Sequence, residues 1–155
     1  MAEAGSSPAK RTSSIADAVE KAFRKNGIAL ADSRLDGDSG MFAIGFSGFF
    51  GGNLRYVAAV SGKSDAGYSD FHIRTAGLFN VPAGKEGQAV NLCNSLNLNL
   101  SHDYARFALS GSEIVISADT FVSRSTAPDL SVGMVMMMND ICRQVYPELV
   151  SQLKA

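Results

Sequence analysis

The sequence predicts an α+β domain in which a single antiparallel β-sheet carries three helices on one face. Three observations lead there. Apolar residues recur with helical spacing at the start, middle and end of the chain, and with a period of two in between. The strand-like stretches are joined by short glycine-bearing loops, which suit hairpins; parallel pairs need a much longer crossover. Finally, 155 residues with 46 % apolar and 19 % charged content suffice for one core and hardly for two.

Residues 1–11 are small, polar and without periodicity, so a flexible tail is expected there and a single domain over 12–155. Ser13 or Ser14 then caps a helix in which Ile15, Val19, Ala22 and Phe23 share a stripe. Asp17 and Glu20 lie near its start and Lys21, Arg24 and Lys25 near its end, as the helix dipole favours. Asn26-Gly27 stops it. Ile28 to Leu35 is a short first strand whose pairing the sequence leaves open. Met41 to Phe46, Asn53 to Ser61 and Ser69 to Phe79 follow as strands, with Gly48 to Asn53 supplying a hairpin.

Pro82-Ala83-Gly84 opens a second helix with Ala89, Val90, Cys93 and Leu96 as its buried stripe. Two strands come next, Asp103 to Leu109 and Glu113 to Phe121, joined by Ser110-Gly111-Ser112. Pro128 and Asp129 begin a last helix that reaches about Leu153. Inside it Pro147 removes a backbone hydrogen bond at a cost of about 3 kcal/mol, which predicts a kink or break near Gln144. The element order is α-β-β-β(β)-α-β-β-α.

Composition narrows the function. A net charge of −1 and a pI near 6.1, with no basic run of five, give no general attraction to nucleic acid or to a membrane surface. The start lacks an apolar signal core, and the longest apolar run, Val132 to Met138, is far short of a bilayer span. Cys93 and Cys142 sit in apolar helical patterns and are expected as reduced, buried thiols of a cytoplasmic protein.

No motif for catalysis stands up. Gly62-Lys63-Ser64 resembles the end of a phosphate-binding loop, but the earlier glycine is replaced by Val57 and no helix follows. Asp32, Asp36 and Asp38 suggest calcium, yet the closing twelfth ligand would be Ala43 or Ser47. Neither His72 nor His102 has a metal-ligand partner at helical spacing, and no serine sits in a nucleophile elbow. The expectation is a non-enzymatic protein with no catalytic, metal or cofactor site; a small-ligand binder or an enzyme whose site is assembled in space without a linear motif is the less favoured alternative.

Two surfaces remain as candidates. If the bulkier parity of each strand faces the helices, Arg55, His72, Arg74, Tyr104 and Arg106 project from the other side, as a recognition surface for an anionic or peptide partner or as an ordinary solvated face. The last helix is apolar on more than one side. Beyond its main stripe, Val132, Val135, Met136, Cys142 and Tyr146 are either buried within the chain or the seam of a homodimer. Met134 and Met136 to Met138 suit an adaptable contact.

The stretch Ala89-Val90-Asn91-Leu92-Cys93-Asn94-Ser95-Leu96-Asn97, followed by Tyr104-Ala105-Arg106-Phe107-Ala108-Leu109, resembles the YbjN-like family, described as bacterial sensory-transduction regulators. The Gly111 hairpin, Glu113 to Asp119 and a final helix from Pro128 extend the likeness. In element order the chain also resembles the type III secretion chaperone-like fold. The resemblance implies a regulatory or adaptor domain that binds another protein, or alternatively a chaperone holding an effector segment. It implies no catalytic residues. Secretion chaperones of this fold are commonly strongly acidic, and this chain departs from that.

Overall fold

The chain's computed structural model describes residues 13–62, 67–99, 102 and 104–154; the expected tail at 1–11 lies outside them. The elements run α1 (Ile15–Lys25), β1 (Leu30–Asp36), β2 (Ser39–Phe49), β3 (Gly52–Val60), β4 (Ser69–Thr75), β5 (Phe79–Asn80), α2 (Glu86–Asn97), β6 (Arg106–Ser110), β7 (Glu113–Val122) and α3 (Ala127–Leu153). The fold is α+β, three helices on one antiparallel sheet of seven strands. β1, β2, β3 and β4 lie side by side, and β4 pairs with Ser117 to Val122 of β7. β5 continues along that same edge of β7, opposite Glu113 and Ile114, and β6 takes the other edge.

Local chemistry explains where the elements begin and break. Ser14 caps α1 by accepting from the Asp17 amide at 3.1 Å while Asp17 accepts from the Ser14 amide, a reciprocal cap worth about 1 kcal/mol. β1, left open by its sequence, pairs with β2 from Leu30↔Ile44 to Asp36↔Ser39. The single strand expected from Ser69 to Phe79 is two. Gly77 adopts a left-handed φ of 73°, and Glu113 Oε1 accepts from the amides of Gly77 (2.5 Å) and Leu78 (3.3 Å), which holds the turn between β4 and β5. The last strand pair starts at Arg106; Asp103 lies outside the described residues.

One continuous core lies between the sheet and the helix layer. Phe23 of α1 meets Phe42 edge-on at 5.5 Å and Phe71 at 6.3 Å. α2 buries Ala89, Leu92, Cys93 and Leu96, but Val90 of the expected stripe is exposed, because the helix turns Leu92 inward in its place. Asn97, the last residue of α2, accepts from the Phe107 amide at 2.7 Å and donates to the Phe107 carbonyl at 2.9 Å.

α3 packs on both α1 and β7, so it is covered on two sides. It passes through Pro147 as one helix, without the break expected near Gln144. Pro147 is on its exposed side, where water can satisfy the Arg143 carbonyl, while Val145, Leu149 and Leu153 anchor the opposite side in the core. Among the described residues no helix is long and apolar enough to cross a membrane.

Candidate functional site

Strand alternation decides which side chains leave the core. Phe42 and Ile44, Tyr56 and Ala58, Phe71 and Ile73, Ile116 and Ala118 are all buried on one parity. The other parity forms an open face. Its middle is low in relief, with Ala43 paired to Val57 and Ala59 opposite Met41 and His72. Met41 and Phe121 are exposed on it.

The charged residues of this face are placed by register. Arg74 in β4 and Arg106 in β6 both lie opposite Ser117, one from each side of β7. His72 lies opposite Asp119, with Nδ1 at 2.5 Å from Oδ1, and Arg106 Nη1 is 4.0 Å from the other oxygen. Arg55 stands further along β3, opposite Gly45, with its guanidinium over Gly77; a Cβ there would be 2.9 Å from Nη2. Tyr104 precedes β6 and is 75 % exposed.

Of the five residues expected on a partner surface, His72, Arg74 and Arg106 thus come together, with Arg55 to one side and Tyr104 ahead of the strand. Sequence reasoning missed Ser117 and Asp119. Parity could have put both on the outer face, since they alternate with Ile116 and Ala118, but only the non-local pairing of β4 with β7 brings them to His72 and the arginines.

The expected seam on α3 does not hold together as a surface. Val135 and Cys142 are fully buried inside the chain, Cys142 with its Sγ 3.6 Å from Tyr56 Oη, so neither can meet a second copy. Val132, Met136 and Tyr146 keep some exposure, but the exposed Asp140 and Arg143 interrupt the helix face they share. Tyr146 is itself covered in part by Phe50, whose ring stacks on it at 4.9 Å and 25°.

Other reactive groups are structural. Tyr56 Oη donates to Asn139 Oδ1 at 2.7 Å and sits 3.6 Å from Cys142 Sγ. Burial raises the Tyr56 phenol above its ordinary range and pushes the Cys142 thiol up to about 11; burial also raises Cys93. Both cysteines are free and buried, so neither is a thiolate nucleophile at neutral pH. The His102 ring is buried edge-on to Phe107 at 5.6 Å. Asp32 holds Arg34 at 3.1 Å on the edge strand. Among the described residues no three His, Cys, Asp or Glu side chains come together as metal ligands. Lys63 and Ser64 of the phosphate-loop look-alike lie outside those residues.

No protein-family model matches this chain, and no curated protein matches it either.

What the open face can do follows from its own chemistry. The His72–Asp119 pair is solvent-exposed, with side chains 41 % and 54 % accessible. Catalytic pairs gain strength from water-excluded surroundings and an aligned nucleophile. Here two arginines, a hydroxyl and a flat apolar middle instead combine charge-assisted hydrogen bonding with contact area.

Proposed function

We propose that this chain is a non-enzymatic adaptor or regulatory domain, of the YbjN-like kind, that binds a protein partner through the open face of its sheet. The observation that supports it is the segregation of the fold. All helices pack on one parity of the strands, leaving a broad face where Arg55, Arg74 and Arg106 line one side of a low apolar centre and Met41 and Phe121 are exposed toward the other. Arginine with exposed apolar side chains is the composition of contact surfaces. A cytoplasmic setting agrees with the two buried free thiols.

Site-specific photo-crosslinking in the native cell tests this. A photoreactive residue at Ala59, in the middle of the face, is compared with one at Gln144, on the exposed side of α3. Discrete adducts with another protein at position 59 alone are expected. Adducts confined to position 144, or self-adducts across α3, would overturn the reading and restore a homodimer through Val132, Met136 and Tyr146. Capture of a long unfolded segment at position 59 would turn it toward the effector chaperone.

A further inference from the structure

We infer that the row Arg74–Ser117–Arg106 is a docking point for a carboxylate, so that the partner presents an acidic segment to this face. The inference rests on the protein-binding reading above and adds the chemistry of the partner. Both arginines are in register with Ser117 on opposite sides of β7. Strands lie about 4.8 Å apart, so the two Cα atoms stand about 10 Å from each other with the hydroxyl midway. Two arginine side chains rising from such positions can close over one carboxylate, with the Ser117 hydroxyl as a third donor from below.

The groups around the row leave it unfilled. Arg74 has no carboxylate within 4.0 Å among the described residues, and Arg106 touches only Asp119, at the outer limit of 4.0 Å. One oxygen of Asp119 is engaged by His72, with Nδ1 at 2.5 Å from Oδ1. Glu113 is engaged by the amides of Gly77 and Leu78. Asp70 sits beyond His72, opposite Phe121. Ser117 makes no side-chain hydrogen bond to a described residue, and Arg55 adds a third cation from β3. The face as a whole carries as many carboxylates (Asp70, Glu113, Asp119) as arginines, and the positive charge left without an ion-pair partner among the described residues is that of Arg74 within the row and of Arg55 beside it, which is what an acidic segment would complement.

The test is titration of the isotope-labelled full chain with hexaglutamate, hexalysine and a short single-stranded oligonucleotide, followed by amide NMR at low salt. Hexaglutamate is expected to shift the amides of Arg74, Ser117 and Arg106 and their neighbours, and hexalysine to shift nothing. An Arg74→Gln/Arg106→Gln variant is expected to weaken hexaglutamate binding about tenfold. A Lys21→Gln/Lys25→Gln variant, which removes two cations from α1, should leave it unchanged. All four positions are exposed, and an unchanged thermal midpoint confirms that each variant folds. Equal losses in the two variants, shifts scattered over the surface, no binding, or preference for the oligonucleotide would each overturn the inference. Crosslinks at Ala59 with any of these results would leave the binding face standing and remove only its acidic partner; crosslinks confined to α3 would remove the face itself.

Discussion

A methyl group placed at Gly40 probes the contact between α1 and β2. Its Cβ would stand 3.0 Å from Ala16 Cβ, 3.0 Å from Phe42 Cζ and 3.1 Å from Leu35 Cδ2, whereas carbons pack comfortably at about 3.5–4.0 Å. Leu35 is half-exposed and can move; Phe42 and Ala16 are fully buried and cannot easily do so. Gly40→Ala therefore overpacks the core by about 1–3 kcal/mol, less about 0.4–1 kcal/mol gained from a stiffer unfolded chain. The companion change Ala16→Gly removes a buried methyl group, about 0.8 kcal/mol, and adds a helix penalty of about 1 kcal/mol. If the clash is with Ala16, the double variant regains part of the space, and its loss is smaller than the sum by about 1 kcal/mol. Urea denaturation of the four proteins, with unchanged slope as the check on two-state behaviour, measures this. A neutral Gly40→Ala, or losses that add to within about 0.3 kcal/mol, would refute the idea that helix and sheet meet at this glycine.

Three further outcomes are expected. Glu20 accepts from Ser33 at 2.8 Å and from Arg24 at 2.9 Å, and these two, Ser33 first, hold its carboxyl below the ordinary 4.5. Its contribution is therefore complete above that value and is lost as pH falls through the lower folded-state value. Glu20→Gln should cost about 0.5–1 kcal/mol at neutral pH and nothing in strong acid; a pH-independent difference would contradict the charge-based account. Cys93 and Cys142 should resist alkylation in mildly alkaline buffer and react once urea unfolds the chain, and rapid labelling of the native protein would show that their burial is wrong. Phe50→Gly relieves a left-handed φ of 45°, worth about 1 kcal/mol, but gives up the stack on Tyr146 and about half a ring of burial. A net loss of about 1–2 kcal/mol in unfolding free energy is expected, and a gain would show that strain outweighs the stack.

Fold class and strand parity were legible because they depend on local repetition. Period-two runs put Arg55, His72, Arg74 and Arg106 on the outer face with no knowledge of pairing. Register was less legible, since it is decided between strands distant in sequence: Ser117 joins the arginines only when β4 and β6 take the two sides of β7. The split between β4 and β5 hid for a related reason, as the Glu113 carboxylate that caps the Gly77 turn comes from 36 residues away. On α3, composition alone left core and seam open. Packing of α3 on the rest of the chain settles it for Val135 and Cys142, Cys142 lying 3.6 Å from Tyr56 Oη of β3, and no pattern within the helix itself encodes which elements cover it. The break expected near Gln144 does not form because Val145 before Pro147, and Leu149 and Leu153 after it, are anchored in the core and hold the helix on both sides of the missing hydrogen bond.

The tie between Asn97 and Phe107 bears on how the sheet ends. A side-chain amide carries the same donor and acceptor as a peptide group, and both are spent on the backbone of a single residue of β6. That residue faces Ile116 without needing its outward N–H and C=O for β7, so Asn97 stands where the next strand's peptide would be. At that residue the edge is occupied by a surrogate one amide long. A strand approaching this border meets an amide already bonded at Phe107, which hinders pairing there and acts against edge-to-edge association. Replacing Asn97 would open a border that any exposed strand, including one from a sister molecule, could extend.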